Sequence, residues 1–490
     1  MKYTITSLMT GWMICVLFFQ TRAQERHLSL EEAIGIAQRN SIAYKVAQNR
    51  YQGSVWNFRN YKASFLPAFY LSGTLPDYSR SIRKITLPSG EDNFVNQNQI
   101  FSSLNLGIQQ NVGVTGGVLS LNSTLDRIDL LGDDHSVLYS TVPISISYTQ
   151  ESIGYNRFKW QRETAPLNYE FAQRKLAADM EEIGVQLVRY YFDMLQAQAS
   201  QELARQNLEN AEHLYTLSQE RFKLGAISKS ELLQLRLRVL NAQKTLTQDS
   251  VSRVLAHQTF VRYLVLDEQD GLVLDLPDSV EFFDVQYEDA LNMAYDNSEA
   301  VIQYQLNQLE AEEEVERVKA QSNLQFNIRA NFGVSNRGDA FDQLFNRLES
   351  QQNIVFSFSV PILDWGYTKT QKLRSEANLA MVKSQIEQNE MQFEQDIALQ
   401  TSRWNLHQQQ LAIAKESEMI AQENYALEME RYLRGLITIN DLNTAQTQKD
   451  TAVATYLEAL YTYWNLYYTI RKLTLYDFKD REKLVVDLSK

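Results

Sequence analysis

Two hydrophobic periods divide the chain, and each occurs twice. From Leu28 to about Tyr61 apolar positions recur with a helical period, opened by Ser29-Leu30-Glu31-Glu32, the spacing of a capping box. Strict alternation follows. Phe65, Phe69 and Leu71 face one way, with Ala68, Ser72 and Thr74 the other. Leu104, Leu106 and Ile108 alternate with Asn105, Gly107 and Gln109, and Leu119, Leu121 and Leu125 with Ser120, Asn122 and Thr124. Ile144, Ile146 and Tyr148 alternate with Ser145, Ser147 and Thr149. Each run predicts a strand of roughly 9–11 residues with one apolar and one small polar face, as a barrel strand needs between lipid and water. Gly113-Val114-Thr115-Gly116-Gly117 reads as a turn, while Pro76 to Gln99 and Asp129 to Ser136 are polar enough to be surface loops.

From Phe158 to Phe222 the only proline is Pro166 and the only glycine Gly184. The spacing predicts one very long helix, or two coaxial ones, of roughly 100 Å. A returning helix, Ser228 to about Leu266, covers only about 58 Å, and Leu28–Tyr61 about 50 Å, so two short helices end to end match one long one. The turn between them, Arg221-Phe222-Lys223-Leu224-Gly225, ends a helix at a glycine suited to a left-handed C-cap. Ser228 with Glu231 then has capping-box spacing.

After an acidic connector, Asp267 to Val285, the sequence begins again. Glu31-Glu32-Ala33 returns as Glu288-Asp289-Ala290 and Asn40-Ser41 as Asn297-Ser298, all 257 positions on. Helix 287–321 leads to alternating segments, Phe326 through Val334 and Ile354 through Val360, and these to a second long helix, Thr368 to Leu433. The turn recurs as Arg431-Tyr432-Leu433-Arg434-Gly435, with Thr438 and Asp441 as its box, before a closing helix to about Leu475. Leu232, Leu235, Val239, Ala242 and Leu246 stand on the same 3-4 ladder as Leu442, Ala445, Ala452 and Tyr456, interrupted by Lys449, Asp249 and Arg253. Such a seam is a coiled-coil hairpin, present twice. The division is a tandem repeat: 24–275 with strands about 65–149 and a tip near 225, then 276–490 with strands about 324–361 and a tip near 435.

Residues 1–23 look like a secretory signal, with Lys2, an apolar core from Leu8 to Phe19, and a cleavage site at Ala23. The only cysteine, Cys15, lies inside that core, so the mature chain is expected to carry no thiol, disulfide or lipid anchor. Cleavage leaves 45 basic against 60 acidic residues, and no basic tract that would track phosphate, so nucleic acid is not a partner. No later stretch approaches 18 consecutive apolar residues; a place in a membrane would have to be taken by strands. Four to six strands cannot close a conducting barrel, so closure must come from neighbouring copies. Catalysis has little support. His27, His135, His213, His257 and His407 are scattered, and neither a thiol nucleophile nor a phosphate loop exists, so no catalytic, cofactor or metal residues are assigned.

With both repeats in view, the chain resembles the TolC-like outer-membrane efflux family, the outer membrane factors. The matching residues are Leu28-Ser29-Leu30-Glu31-Glu32-Ala33, the post-strand Pro361-Ile362-Leu363-Asp364-Trp365-Gly366, and the two tips. The resemblance implies a mainly helical fold with β-structure: a long antiparallel coiled-coil helical barrel, continued by an outer-membrane β-barrel closed only in a trimer. It implies the exit duct of a tripartite efflux or type I secretion system, with the helices in the periplasm. A membrane-fusion adaptor would meet the tips and link them to an inner-membrane pump. The first half departs from the family, offering four candidate strands where the family uses two, and the motif around Ile153-Gly154-Tyr155 is degraded.

The family's inner-mouth gate often has acids six and nine positions after the second tip glycine; here these are Asp441 and Thr444. Asp441 is a gate carboxylate, a capping acid or both, and if it is only a cap the constriction is to be sought in a bulky neighbour such as Tyr432. Arg221, Leu224, Gly225, Arg431, Leu433 and Gly435 are the candidate docking tips, although both arginines also suit helix C-termini. Tyr155, Phe158, Trp160, Trp365 and Tyr367 gather where strands hand over to helices, as an interfacial aromatic belt or as ordinary packing. Two other readings fit a helical hairpin chain: a secreted coiled-coil structural protein, and an adaptor-like periplasmic protein. The second strand face, mostly Ser, Thr, Asn, Gln and Gly, favours a wet lumen over a soluble sandwich.

Overall fold

The computed structural model describes residues 26–131, 135–151, 153–266, 272–322 and 324–484. The signal segment 1–23, Cys15 and the cleavage site lie outside the described residues. A short strand β1 (Arg26–Leu28) precedes helices α1 (Leu30–Asn40) and α2 (Ile42–Ala63). Four strands follow: β2 (Ala68–Thr86), β3 (Asp92–Val112), β4 (Gly117–Leu130) and β5 (Ser136–Gln150). Helices α3 (Arg157–Lys223) and α4 (Lys229–Leu264) form the first long hairpin, ahead of β6 (Leu272–Leu274). The second half has α5 (Tyr287–Asn297), α6 (Glu299–Ser322), β7 (Gln325–Gly338), β8 (Glu349–Ser359), α7 (Tyr367–Leu433) and α8 (Ile439–Thr474). Two short strands, β9 (Tyr476–Asp477) and β10 (Glu482–Lys483), end the described chain.

Local capping accounts for several helix boundaries. Ser29 and Glu32 exchange both bonds of a capping box at the start of α1. The helix expected from Leu28 to Tyr61 is in fact two, because Ser41 leaves the helical region at φ −61°, ψ 154°. Its N–H closes α1 on the Ala37 carbonyl, and its hydroxyl accepts from the Tyr44 N–H to open α2. Ser298 breaks the second copy in the same way, with its hydroxyl accepting from Ala300 N–H. A buried serine that ends one helix and caps the next gives no signal in hydrophobic period. Helix α3, by contrast, is one element of 67 residues that runs through Pro166 unbroken.

The chain forms two compact units. One comprises residues up to Lys45, Ile183–Phe283 and Leu406–Tyr468. Within it β1 and β6 pair in parallel, Arg26 with Leu272 and Leu28 with Leu274. Tyr191, fully buried, donates to a carbonyl, Leu28 or Asp275, at 2.9 and 2.6 Å. The connector is further held by Tyr463 on the Glu281 carbonyl (2.6 Å), Trp464 on that of Pro277 (3.2 Å) and Gln408 on that of Phe283 (2.7 Å).

The second unit comprises Val46–Glu182, Asp284–Asn405 and residues from Thr469 onward. It holds a six-stranded antiparallel sheet of order β2-β3-β4-β5-β7-β8, besides the short antiparallel pair β9–β10. The strands have 19, 21, 14, 15, 14 and 11 residues; all but β8 are longer than the 9–11 expected. Most of Pro76–Gln99 is a two-stranded ribbon and not a loop, with the chain reversing at Leu87–Glu91. Its polarity misled because a ribbon wet on both faces needs no apolar alternation; cross-strand pairs such as Lys84–Asp92 (2.7 Å) hold it instead. Pro76 is accommodated where the β2–β3 register shifts between Thr74 and Asp77. Likewise Asp129 and Leu130 belong to β4, and Ser136 to β5.

Candidate functional site

The two hairpin ends close alike. Gly225 and Gly435 both sit at φ 74° with open space where a Cβ would stand. Ala226 N–H reaches the Arg221 carbonyl and Gly225 N–H that of Phe222, the paired bonds of a Schellman motif. Leu436 and Gly435 repeat them on Arg431 and Tyr432. Leu214, Leu235, Tyr425, Tyr432, Ile439, Leu442 and Ala445 form one buried cluster beneath the ends, joining the two hairpins. Tyr432 packs inside this cluster, 4% exposed. Leu224 and Leu436 are 84% and 66% exposed.

The two arginines differ. Arg221 Nη2 donates to the Leu433 carbonyl at 2.7 Å, tying the first tip to the second and satisfying the C-terminus of α7. Arg431 pairs with Glu428 one turn back, at 2.7 Å. Asp441 is exposed and completes its box: its Oδ2 accepts from the Thr438 N–H (2.9 Å) and hydroxyl (2.7 Å). The hydroxyl and amide bonds from Thr438 hold its carboxyl below the usual range. At the copied position Ser228 caps the Glu231 N–H at 3.2 Å. Thr444 is exposed, and its hydroxyl donates back to the Asn440 carbonyl at 3.0 Å.

Sequence reasoning missed the polar contact above this cluster. Arg238 donates to Asn443 and Gln446 across α4 and α8, and burial pulls its guanidinium below its usual pKa. Asn207 donates to Asp450 at 2.9 Å. Lys449, buried, lies 4.6 Å from the Tyr425 ring centroid and 3.4 Å from Asp450. The interruption of the heptad ladder at Lys449 was the available signal; Arg238 lies off the ladder and left none.

In the sheet unit one face collects the apolar positions. Phe69, Ile108, Leu121, Ile146 and Phe332 lie in one cross-strand row, and Leu119, Tyr148, Ala330 and Ile354 in the next. This face is exposed: Phe69 is 74%, Phe356 73% and Phe358 71% accessible. The opposite face carries Ala68, Gln109, Ser120, Ser147, Asn331 and Asn353 in one row. Tyr70 lies across Gly107 on that face, where a Cβ would fall 2.1 Å from its ring, and donates to Asn122 at 2.7 Å.

The five junction aromatics separate. Phe158 and Trp160 are buried, 2% and 5% exposed, and Phe158 meets Phe65 edge-on at 5.4 Å; these two pack internally. Tyr155 donates to Glu313 at 2.5 Å. Trp365 and Tyr367 are 90% and 65% exposed. Among the described residues no helix is long and apolar enough to cross a membrane, and no group of three His, Cys, Asp or Glu could hold a metal ion.

Comparison with known proteins adds three findings. The sequence profile described as "Outer membrane efflux protein" matches residues 118–264 and 290–474. No curated protein shows significant sequence similarity to the chain. Solved structures share the fold at low identity. The CmeC outer membrane channel of Campylobacter jejuni is 16% identical with a TM-score of 0.64, over 91% of this chain and 85% of that one. A membrane protein of Pseudomonas aeruginosa is 12% identical at 0.66, over 94% and 92%. The outer membrane protein VceC of Vibrio cholerae is 14% identical at 0.63, over 91% and 95%.

Proposed function

Since this chain belongs to the outer membrane efflux protein family, a family of transport channels and not of enzymes, we propose that it is a homotrimeric exit duct serving a tripartite efflux or type I secretion system. The observation that carries the reading is the sheet with one exposed apolar face, one small polar face and two open edges. In water such a face would drive aggregation; in lipid it is the required exterior, and the polar face becomes the lumen. On this reading residues 24–275 and 276–490 are two repeats, each giving strands to an outer-membrane barrel and a helical hairpin to a periplasmic tunnel. The exposed ends around Leu224 and Leu436 dock a membrane-fusion adaptor, which links the duct to an inner-membrane pump.

Fractionation tests it. Outer membranes should hold a heat-modifiable trimer, and deletion of the gene should raise sensitivity to exported compounds or abolish secretion of a polypeptide. A soluble periplasmic monomer would overturn the reading.

A further inference from the structure

We infer that copies of this chain join edge to edge, β8 of one against β2 of the next, so that three six-stranded sheets close an eighteen-stranded barrel. The inference rests on the outer-membrane reading and adds its strand count, its seam and its width. Among the described residues β2 and β8 each pair on one side only. An open edge in hydrocarbon leaves backbone groups unsatisfied at several kcal/mol each, and six strands are too few to close on themselves.

The two edges fit each other in direction, height and face. Strand direction alternates across an even number of strands, so β8 of one copy runs antiparallel to β2 of the next. The part of β2 that lies within the full sheet runs from Ala68 to Ser79, because β3 pairs with β4 only from Gln99 onward and Gln99 faces Ser79. That stretch is about as long as the 11 residues of β8. Beyond it the β2–β3 ribbon overhangs and needs no neighbour. Phe69 and Leu71 on β2 and Ile354, Phe356 and Phe358 on β8 then continue one apolar exterior across the seam.

The segments below the strands fit as well. After β8 the chain exposes Ile362, Leu363 and Trp365 at 93%, 71% and 90%, an apolar wedge with no cover in its own copy. Beside the opposite edge, α2 and α3 flank a groove of about 750 Å³ lined by Phe58, Tyr61, Phe158 and Phe171. A head-to-tail ring places the wedge of one copy at the groove of the next. The four strands of the first half, β2 to β5, set the bore. At a strand spacing of about 4.8 Å and a tilt of about 40°, eighteen strands span about 36 Å across the backbone, against about 24 Å for twelve.

Disulfide trapping reads the seam directly, because the only native cysteine is Cys15. Four double variants span the register: Phe69→Cys or Leu71→Cys, each with Phe356→Cys or Phe358→Cys. After oxidation in outer membranes and boiling without reductant, at least one pair should give covalent dimers and trimers. The single variants, and Leu106→Cys with Ile354→Cys as an off-seam control, should stay monomeric. End-on electron microscopy of the unmodified trimer should give a barrel about 36 Å wide. Trimers that form in the membrane yet link through none of the pairs, or a barrel about 24 Å wide, would overturn the inference and leave the duct standing. An unmodified chain that never reaches the membrane would instead remove the duct reading itself.

Discussion

Asp441 illustrates how one carboxylate can serve two scales of structure. Its box with Thr438 is a complete local device, and its exposure leaves the charge free to act beyond the helix. If several copies converge at an inner mouth, Asp441→Asn should lower cation preference in single-channel recordings and weaken block by multivalent cations. Glu231→Gln at the copied position should change both less; equal effects, or none, would leave Asp441 a cap alone. The pH dependence follows from its lowered pKa. A depressed carboxylate contributes stability above the unfolded value, near pH 4, and loses it as pH falls through the lower folded value. The protection of second-tip amides against hydrogen exchange, relative to their intrinsic rates, should therefore fall as pH drops below about 4 in the native chain, and should not fall in this way in Asp441→Asn. The tip glycines make a sharper demand. Proline cannot adopt the φ of 74° found at Gly225 and Gly435. Gly225→Pro or Gly435→Pro should abolish export while trimers still assemble, and normal export in both would remove the tips as the docking surface.

At one point three elements meet on buried polar groups. Arg471 on α8 donates to both carboxylate oxygens of Glu181 on α3, at 2.8 and 3.1 Å, and to Asp477 on β9. The Glu181 and Asp477 side chains are only 7% and 2% exposed. Burial pushes the Glu181 carboxyl up, and the Arg471 bonds oppose it. Removing the arginine alone takes this cation away from two buried acids, of which Asp477 keeps the Lys479 and Asp480 amides, so Arg471→Met should cost about 3–5 kcal/mol by thermal or denaturant unfolding. Adding Glu181→Gln and Asp477→Asn should recover much of that loss; no recovery would mean that packing, and not charge, holds the three elements.

For the molecule as a whole, the proposed duct requires the apolar side of the sheet to meet lipid. Ile146 and Ser147 are neighbours in β5 that fall on opposite faces. An arginine on the lipid side costs about 2–4 kcal/mol near the bilayer midplane, whereas on a wet lumen it costs little. Ile146→Arg should deplete the heat-modifiable trimer from outer membranes, and Ser147→Arg should leave it intact with altered conductance. The reverse result would turn the barrel inside out.

The sequence alone determined what depends on neighbours three or four residues apart. Ser29 and Glu32 close their box, and Gly225 and Gly435 take their left-handed turns, because those bonds and clashes lie within one helical turn. The alternation in β3, β4 and β5 was legible because a sheet with one apolar and one polar face imposes period two on the strands that cross it. Tertiary structure decided the rest. Trp160 and Trp365 stand in equivalent aromatic clusters, yet one is buried and the other bare, since only the packing of α3 covers a side chain there. Arg221 finds the Leu433 carbonyl across 212 positions, a partner that no spacing rule contains. The polar ribbon from Asp77 to Asn98 became strand because its bonds run to a second chain segment and not along its own. A backbone partner distant in sequence leaves no period behind, and so the strand order, the open edges and the seam they imply belong to the folded chain alone.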